Sequence, residues 1–155
     1  MSVWCPRATV AIIIPESSRI SSNGRLLFVE EFIQEKRVIN QPAGHIEKNE
    51  SILEAVHRET LEETGWTVEL TGFTGIYTLR IPNQDLTYHR YCFVGNPVDK
   101  TSKTLDSDIL ATHWLSPEAM TSGQFALRSP LVRKCVEDYL AGKIYPLDLI
   151  YESHK

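Results

Sequence analysis

The stretch HRETLEETG, residues 57–65, sets three glutamates, Glu59, Glu62 and Glu63, beside a single fixed cation, Arg58. The preceding SILEAV, residues 51–56, opens an amphipathic helix in which Ile52, Ala55 and Val56 share one face. Continued by three- and four-residue steps, that face arrives at Glu59 and Glu63, where the pattern calls for apolar residues. At about 100° per residue the three glutamates span an arc of about 100°. Carboxylates so close repel one another, and removing them from water is costly without a counter-charge. They also crowd the end of the helix, where the macrodipole disfavours negative charge. A divalent cation resolves the conflict, and hard oxygen ligands select magnesium, or manganese as a substitute, over zinc. The competing interpretation is a solvated acidic face with Arg58 as its counter-ion. The placement of Glu59 and Glu63 on the apolar stripe, with a glycine-containing loop just upstream, weighs toward a metal.

The elements that must hold these groups are legible in outline. Ser51 caps the helix, with Glu54 completing a capping box, and Gly65 suits the left-handed residue that ends it. ATVAIII (8–14) is short and β-branched and predicts a buried strand; PESSRISSNG (15–24) is a turn with a reversal at Asn23-Gly24. RLLFVEEF (25–32) predicts a second strand paired with the first, and VINQPAG (38–44) a short strand running into a loop. Residues 67–81 and 86–98 predict a long hairpin around PNQD (82–85). DSDI (106–109) reads as a loop before a strand at 112–116. Ser116-Pro117 and Ser129-Pro130 each place a cap and an N1 proline at a helix start, over 116–120 and 130–141, the latter closed by Gly142. The order gives an α+β domain, a mixed β-sheet flanked by helices.

The chain has 155 residues, 42% hydrophobic and 23% charged, which fits one globular domain over 1–155 with a real core. A net charge of −4 argues against general affinity for nucleic acid or an anionic membrane. It leaves small anions open as partners, since a bound divalent metal inverts the local sign. Cys5, Cys92 and Cys135 are scattered and odd in number, so they form neither a disulfide framework nor a zinc site. They read as buried or partly buried free thiols in a reducing cytoplasm.

Residues 44–66, GHIEKNESILEAVHRETLEETGW, resemble the signature of the Nudix hydrolase family, G-x5-E-x7-R-E-U-x-E-E-x-G-U with U a bulky apolar residue. Gly44, Glu50, Arg58, Glu59, Glu62, Glu63 and Gly65 fall in register; Thr60 departs at the first U and Trp66 fills the second. NQPAGHIE (40–47), DSDI followed by HWLS, LRSPLV (127–132) and YPLDLI (145–150) extend the likeness, toward a bacterial phosphatase subgroup of that family.

The resemblance implies an α/β/α sandwich and a magnesium site on Glu59, Glu62 and Glu63, with the Gly44 carbonyl as a lesser ligand. It makes Arg58 and Glu50 a pair bracing loop against helix, with Arg58 orienting the catalytic glutamates Glu59 and Glu62. The general base stays open among Glu59, Glu62, Asp106 and Asp108, the last two being equally natural turn residues. Arg128, Arg80 and His45 are candidates for substrate binding, with Arg37 and Arg90 behind them; Arg128 stands beside a helix N-terminus. Phe28, Tyr77, Tyr88 and Trp114 are aromatics that either stack a pyrimidine or fill the core.

The implied activity is magnesium-dependent release of orthophosphate from small diphosphates and triphosphates: hydroxymethylpyrimidine diphosphate, thiamine diphosphate and nucleoside di- or triphosphates. The alternatives are a pyrophosphatase acting on dinucleotides or nucleotide sugars, and a module that senses a nucleotide without hydrolysing it. The expected partner is a small phosphorylated molecule, and the chain a monomer or homodimer.

Overall fold

The computed structural model describes residues 1–17 and 24–153. Eight strands form two four-stranded sheets. In the first the order is β4 (Ala43–His45), β1 (Arg7–Ile13), β6 (Leu86–Lys100), β5 (Trp66–Ile81); in the second it is β7 (Ile109–Leu115), β2 (Leu26–Ile33), β3 (Lys36–Asn40), β8 (Ala126–Leu127). Each mixes parallel and antiparallel pairs, β1 with β6 and β3 with β8 being the parallel ones. The helices are α1 (Ile52–Thr64), α2 (Pro117–Thr121) and α3 (Pro130–Leu140), with a 3-10 turn at Leu147–Leu149. The α+β class and the flanked mixed sheets agree with the expectation. None of the helices among the described residues is long and apolar enough to cross a membrane.

The alternation along β1 explains the layering. Val10, Ile12 and Ile14 turn to one side, where they join Ala55 and Val56 of α1. Ala11 and Ile13 turn to the other, where they join Val132, Cys135 and Val136 of α3. Burying Val56, 1% exposed, is worth about 1.5–3 kcal/mol, so apolar burial anchors the first half of α1, while the buried residues of its second half, Thr60, Glu63 and Thr64, are polar.

Three local expectations are corrected. The strands at 8–14 and 25–32 are not sheet partners: they meet at one bridge, Pro15 with Leu26, supported by Leu27 N–H donating to the Ile14 carbonyl. β1 is apolar on both faces and takes an interior position between β4 and β6, as such strands do. The stretch 38–44 is two strands in different sheets, β3 and β4, broken at Gln41-Pro42, where proline has no N–H to donate. Cys5 is exposed, while Cys92 and Cys135 are buried; all three are free. Of the turn at 15–24, the Asn23 half of the reversal lies outside the described residues. The long hairpin, both Ser-Pro helix starts and the extent of α1 match, and the strand expected at 112–116 begins earlier, at Ile109.

Candidate active site

The catalytic-looking residues are held by both ends of α1. Ser51 accepts from Glu54 N–H while Glu54 accepts from Ser51 N–H, and Gly65 sits at φ 73°, donating to the Leu61 carbonyl. Thr60, at the position where the family pattern wants an apolar residue, is fully buried; its hydroxyl donates to the Val56 carbonyl at 2.6 Å, which hides the polar group inside the helix.

A cleft of about 330 Å³ opens between α1, the free edge of β4 and the second sheet. It is lined by Glu31, Glu47, Glu59, Glu63, Asp106 and Asp108, together with Ala43, Gly44, His45 and Ile109. Six carboxylates and no lysine or arginine line it. Within it, carboxylate oxygens of Glu59 and Asp106, with that of Glu62, lie within 4.8 Å of one another. This trio differs from the expected set, for Asp106 joins Glu59 and Glu62 while Glu63 stands apart, accepting from Ala43 N–H at 3.3 Å. Asp106 is brought there by its backbone, whose N–H donates to the Glu62 carbonyl at 2.9 Å. Neither Asp106 nor Asp108 uses its side chain to hold a turn among the described residues, so both carboxylates face the cleft.

Arg58 is the hub. Its Nε and Nη2 form a bidentate pair with Glu50 at 2.5 and 3.0 Å, Nη1 reaches Glu59 at 2.8 Å and Glu62 at 3.0 Å, and Nη2 also donates to the His45 carbonyl. Glu50 is held below the ordinary carboxylate range chiefly by its hydrogen bond from Arg58. Burial pushes Glu59 up in spite of Arg58, and it pushes Glu63, 5% exposed and facing Glu31 and Glu59, up to about 9. Gly44 is needed for space: a Cβ there would lie 2.1 Å from the Glu59 carboxyl carbon.

The candidate substrate residues divide. His45 lies at the cleft; burial first, then the charges of Arg7 and Arg128, push its pKa down. Arg128 stands next to it, donating to Glu31 at 3.2 Å. Arg80 is exposed on the outer strand β5, opposite Thr87, away from the cleft. Arg37 pairs with Glu30 at 3.4 Å, and Arg90 is buried, donating to Gln41 and Asn40. Phe28 and Tyr77 are core residues, and Trp114 packs edge-on against Trp66. Glu31 and Glu47 are cleft residues that sequence reasoning passed over. For Glu31 a signal was present: it follows Leu27 and Val29 on one face of a strand whose apolar alternation it interrupts.

The donor set is all oxygen, mutually repelling and partly desolvated, which fits a hard divalent cation. The comparisons with known proteins agree with the geometry. Residues 6–136 match the NUDIX domain family. The phosphatase NudJ of Escherichia coli K12 is 35% identical over 147 residues, covering 94% of this chain and 90% of that protein. A NUDIX hydrolase structure from Nitrosomonas europaea is 39% identical with a TM-score of 0.87, covering 96% of this chain and 98% of that one. An Ap4A hydrolase from C. elegans, 12% identical with a TM-score of 0.68, covers 88% of this chain and 96% of its own and shares the fold. The chain belongs to the Nudix hydrolase family, whose members cleave phosphoanhydride bonds.

Proposed function

We propose that this chain is a cytoplasmic, magnesium-dependent phosphohydrolase that removes the terminal orthophosphate from small diphosphates and triphosphates. Candidate substrates are hydroxymethylpyrimidine diphosphate, thiamine diphosphate and nucleoside di- and triphosphates, with the residues 1–155 acting as one domain, monomeric or dimeric. The observation that carries the proposal is the lining of the cleft by six carboxylates and no cationic side chain. A phosphoanhydride enters such a site only in company with metal, since bare phosphate oxygens and carboxylates repel.

Glu59, Glu62 and Glu63 would hold magnesium, with the Gly44 carbonyl and the neighbouring Asp106 completing an oxygen shell. When bound, the ion neutralises phosphate oxygens and lowers the pKa of a bound water. Arg58 keeps Glu59 and Glu62 aligned through its fixed fork, anchored on Glu50. A carboxylate of the Glu59–Glu62–Asp106 cluster, whose oxygens lie within 4.8 Å of one another, would accept the proton of the attacking water. Kinship in sequence with the E. coli phosphatase supports terminal phosphate release over internal cleavage.

The test is orthophosphate release from thiamine diphosphate, hydroxymethylpyrimidine diphosphate, a nucleoside triphosphate and a dinucleoside polyphosphate, each with and without magnesium. Orthophosphate from the first three, lost with chelator and in Glu59→Gln, is the expected result. Nucleoside monophosphate as first product would replace the proposal with a pyrophosphatase, and tight binding without turnover would replace it with a sensor.

A further inference from the structure

Beside the acidic cleft lies a surface of opposite character. The β1 register pairs Thr9 with His45 on β4 and Arg7 with Tyr88 on β6, so Arg7, His45 and Tyr88 share one face of the first sheet. Gly44, one residue from His45, turns the other way toward Glu59. The His45 and Tyr88 rings lie 6.1 Å apart, tilted by 54°, His45 exposed and Tyr88 half-buried. Of the four aromatics that could stack a base, Tyr88 pairs its ring with that of a cleft residue. Arg7 and Arg128 both act on His45 electrostatically, and Arg90, two residues along β6 from Tyr88, lies beneath the same face. Arg90 is 7% exposed, and both of its acceptors among the described residues, Gln41 and Asn40, are neutral amide oxygens. Arg128 spends only Nη1 on Glu31 among the described residues, so most of its N–H donors are free to take another anion.

We infer that this face is the leaving-group subsite, in which Tyr88 and His45 stack the heteroaromatic ring of the substrate while Arg128 and Arg7 bind the phosphate that departs with it. This rests on the reading above for the metal end of the substrate. Water forms the new bond to the terminal phosphorus, the bond from that phosphorus to the bridging oxygen breaks, and the oxygen leaves with its electron pair on the organic phosphate. The water's proton passes to the carboxylate cluster. Arginine near the bridging oxygen opposes the charge that develops there, which favours a cut leaving phosphate on the ring-bearing fragment. The acidic cleft and the cationic, aromatic face therefore divide one substrate: the outgoing orthophosphate on one side and the phosphorylated, ring-bearing fragment on the other.

A matched pair of ligands isolates the ring. Uridine monophosphate and ribose 5-phosphate share sugar and phosphate and differ by the base; each is titrated calorimetrically into the full chain with magnesium. A preference of about tenfold for the base-bearing ligand is expected, the scale of one base stacked on one aromatic residue. Tyr88→Leu should bring the ratio close to one, Tyr88→Phe should keep it, and Arg128→Gln should weaken both ligands together. A wild-type ratio near one, or a ratio that survives Tyr88→Leu, overturns the inference. Turnover assays on the same wild-type protein judge the proposed reaction separately, because the binding ratio is readable whether or not any diphosphate is cleaved.

Discussion

At the scale of single residues, Arg58 and Gly44 carry the sharpest consequences. Arg58 satisfies Glu50, Glu59, Glu62 and the His45 carbonyl at once, which only a planar fork with several donors can do. Lysine keeps the charge but offers one ammonium, so Arg58→Lys frees Glu59 and Glu62 to take other rotamers. Loss of a partner that orients metal ligands costs about 10–100-fold in activity or metal affinity, and kcat/KM with magnesium titration would register it. A variant with unchanged kcat/KM would make the arginine a mere counter-ion. Gly44 tests the opposite quantity, space. Its would-be Cβ meets the Glu59 carboxyl group, the movable end of a side chain, so Gly44→Ala should fold normally by circular dichroism. The carboxylate it displaces belongs to the cluster, and metal-dependent turnover should drop about tenfold or more.

The helix that delivers these groups is fixed from three directions, and only some of them are visible in sequence. The Ser51–Glu54 box and the left-handed Gly65 are local, made by residues three or four apart, and could be read from the chain directly. The third is not local: Glu152, 100 residues on, accepts from Ile52 N–H at 2.7 Å and from Leu53 N–H at 3.4 Å, filling the first-turn donors that Ser51 does not reach. The chain arrives there by way of Tyr145, which exchanges two backbone hydrogen bonds with Phe73. Glu152→Ala should lower stability by about 1 kcal/mol, as other lost helix caps do, and a shift in the denaturant midpoint would show it; no shift would mean that water caps α1 equally well. The same distinction between local and distant explains the rest. Hairpin, caps and acid spacing are set by near neighbours and were legible. The partners of β1, the division of 38–44 between two sheets, and the arrival of Glu31 and Asp106 at one cleft depend on which strands meet in space.

For the molecule as a whole, the site is a source of instability that metal should relieve. Glu63 is buried at the end of α1 and faced by Glu31 from β2, Glu59 from its own helix, Asp106 from the loop before β7, and the Ala43 N–H from β4. Burial, with these acids, pushes its pKa up to about 9, whereas an unfolded glutamate titrates near ~4.3. Between those values the folded chain keeps a proton that the unfolded chain has released, so stability must fall as pH rises through the window and level off above it. The metal-free protein should therefore melt at a lower temperature at about pH 8.5 than at about pH 6, contrary to the usual gain of stability as carboxylates ionise. Glu63→Gln removes the proton from the account: its melting temperature should vary less between the two conditions and exceed that of the wild type at the higher one. On the proposed reading, magnesium would stabilise by binding the folded state, and it would meet Glu63 already ionised only at high pH. Its stabilising shift should be larger at the higher pH in the wild type and strongly reduced in Glu63→Gln. Parallel pH slopes for the two proteins would show that Glu63 ionises normally in the fold, and its burial would then count for packing rather than for the metal.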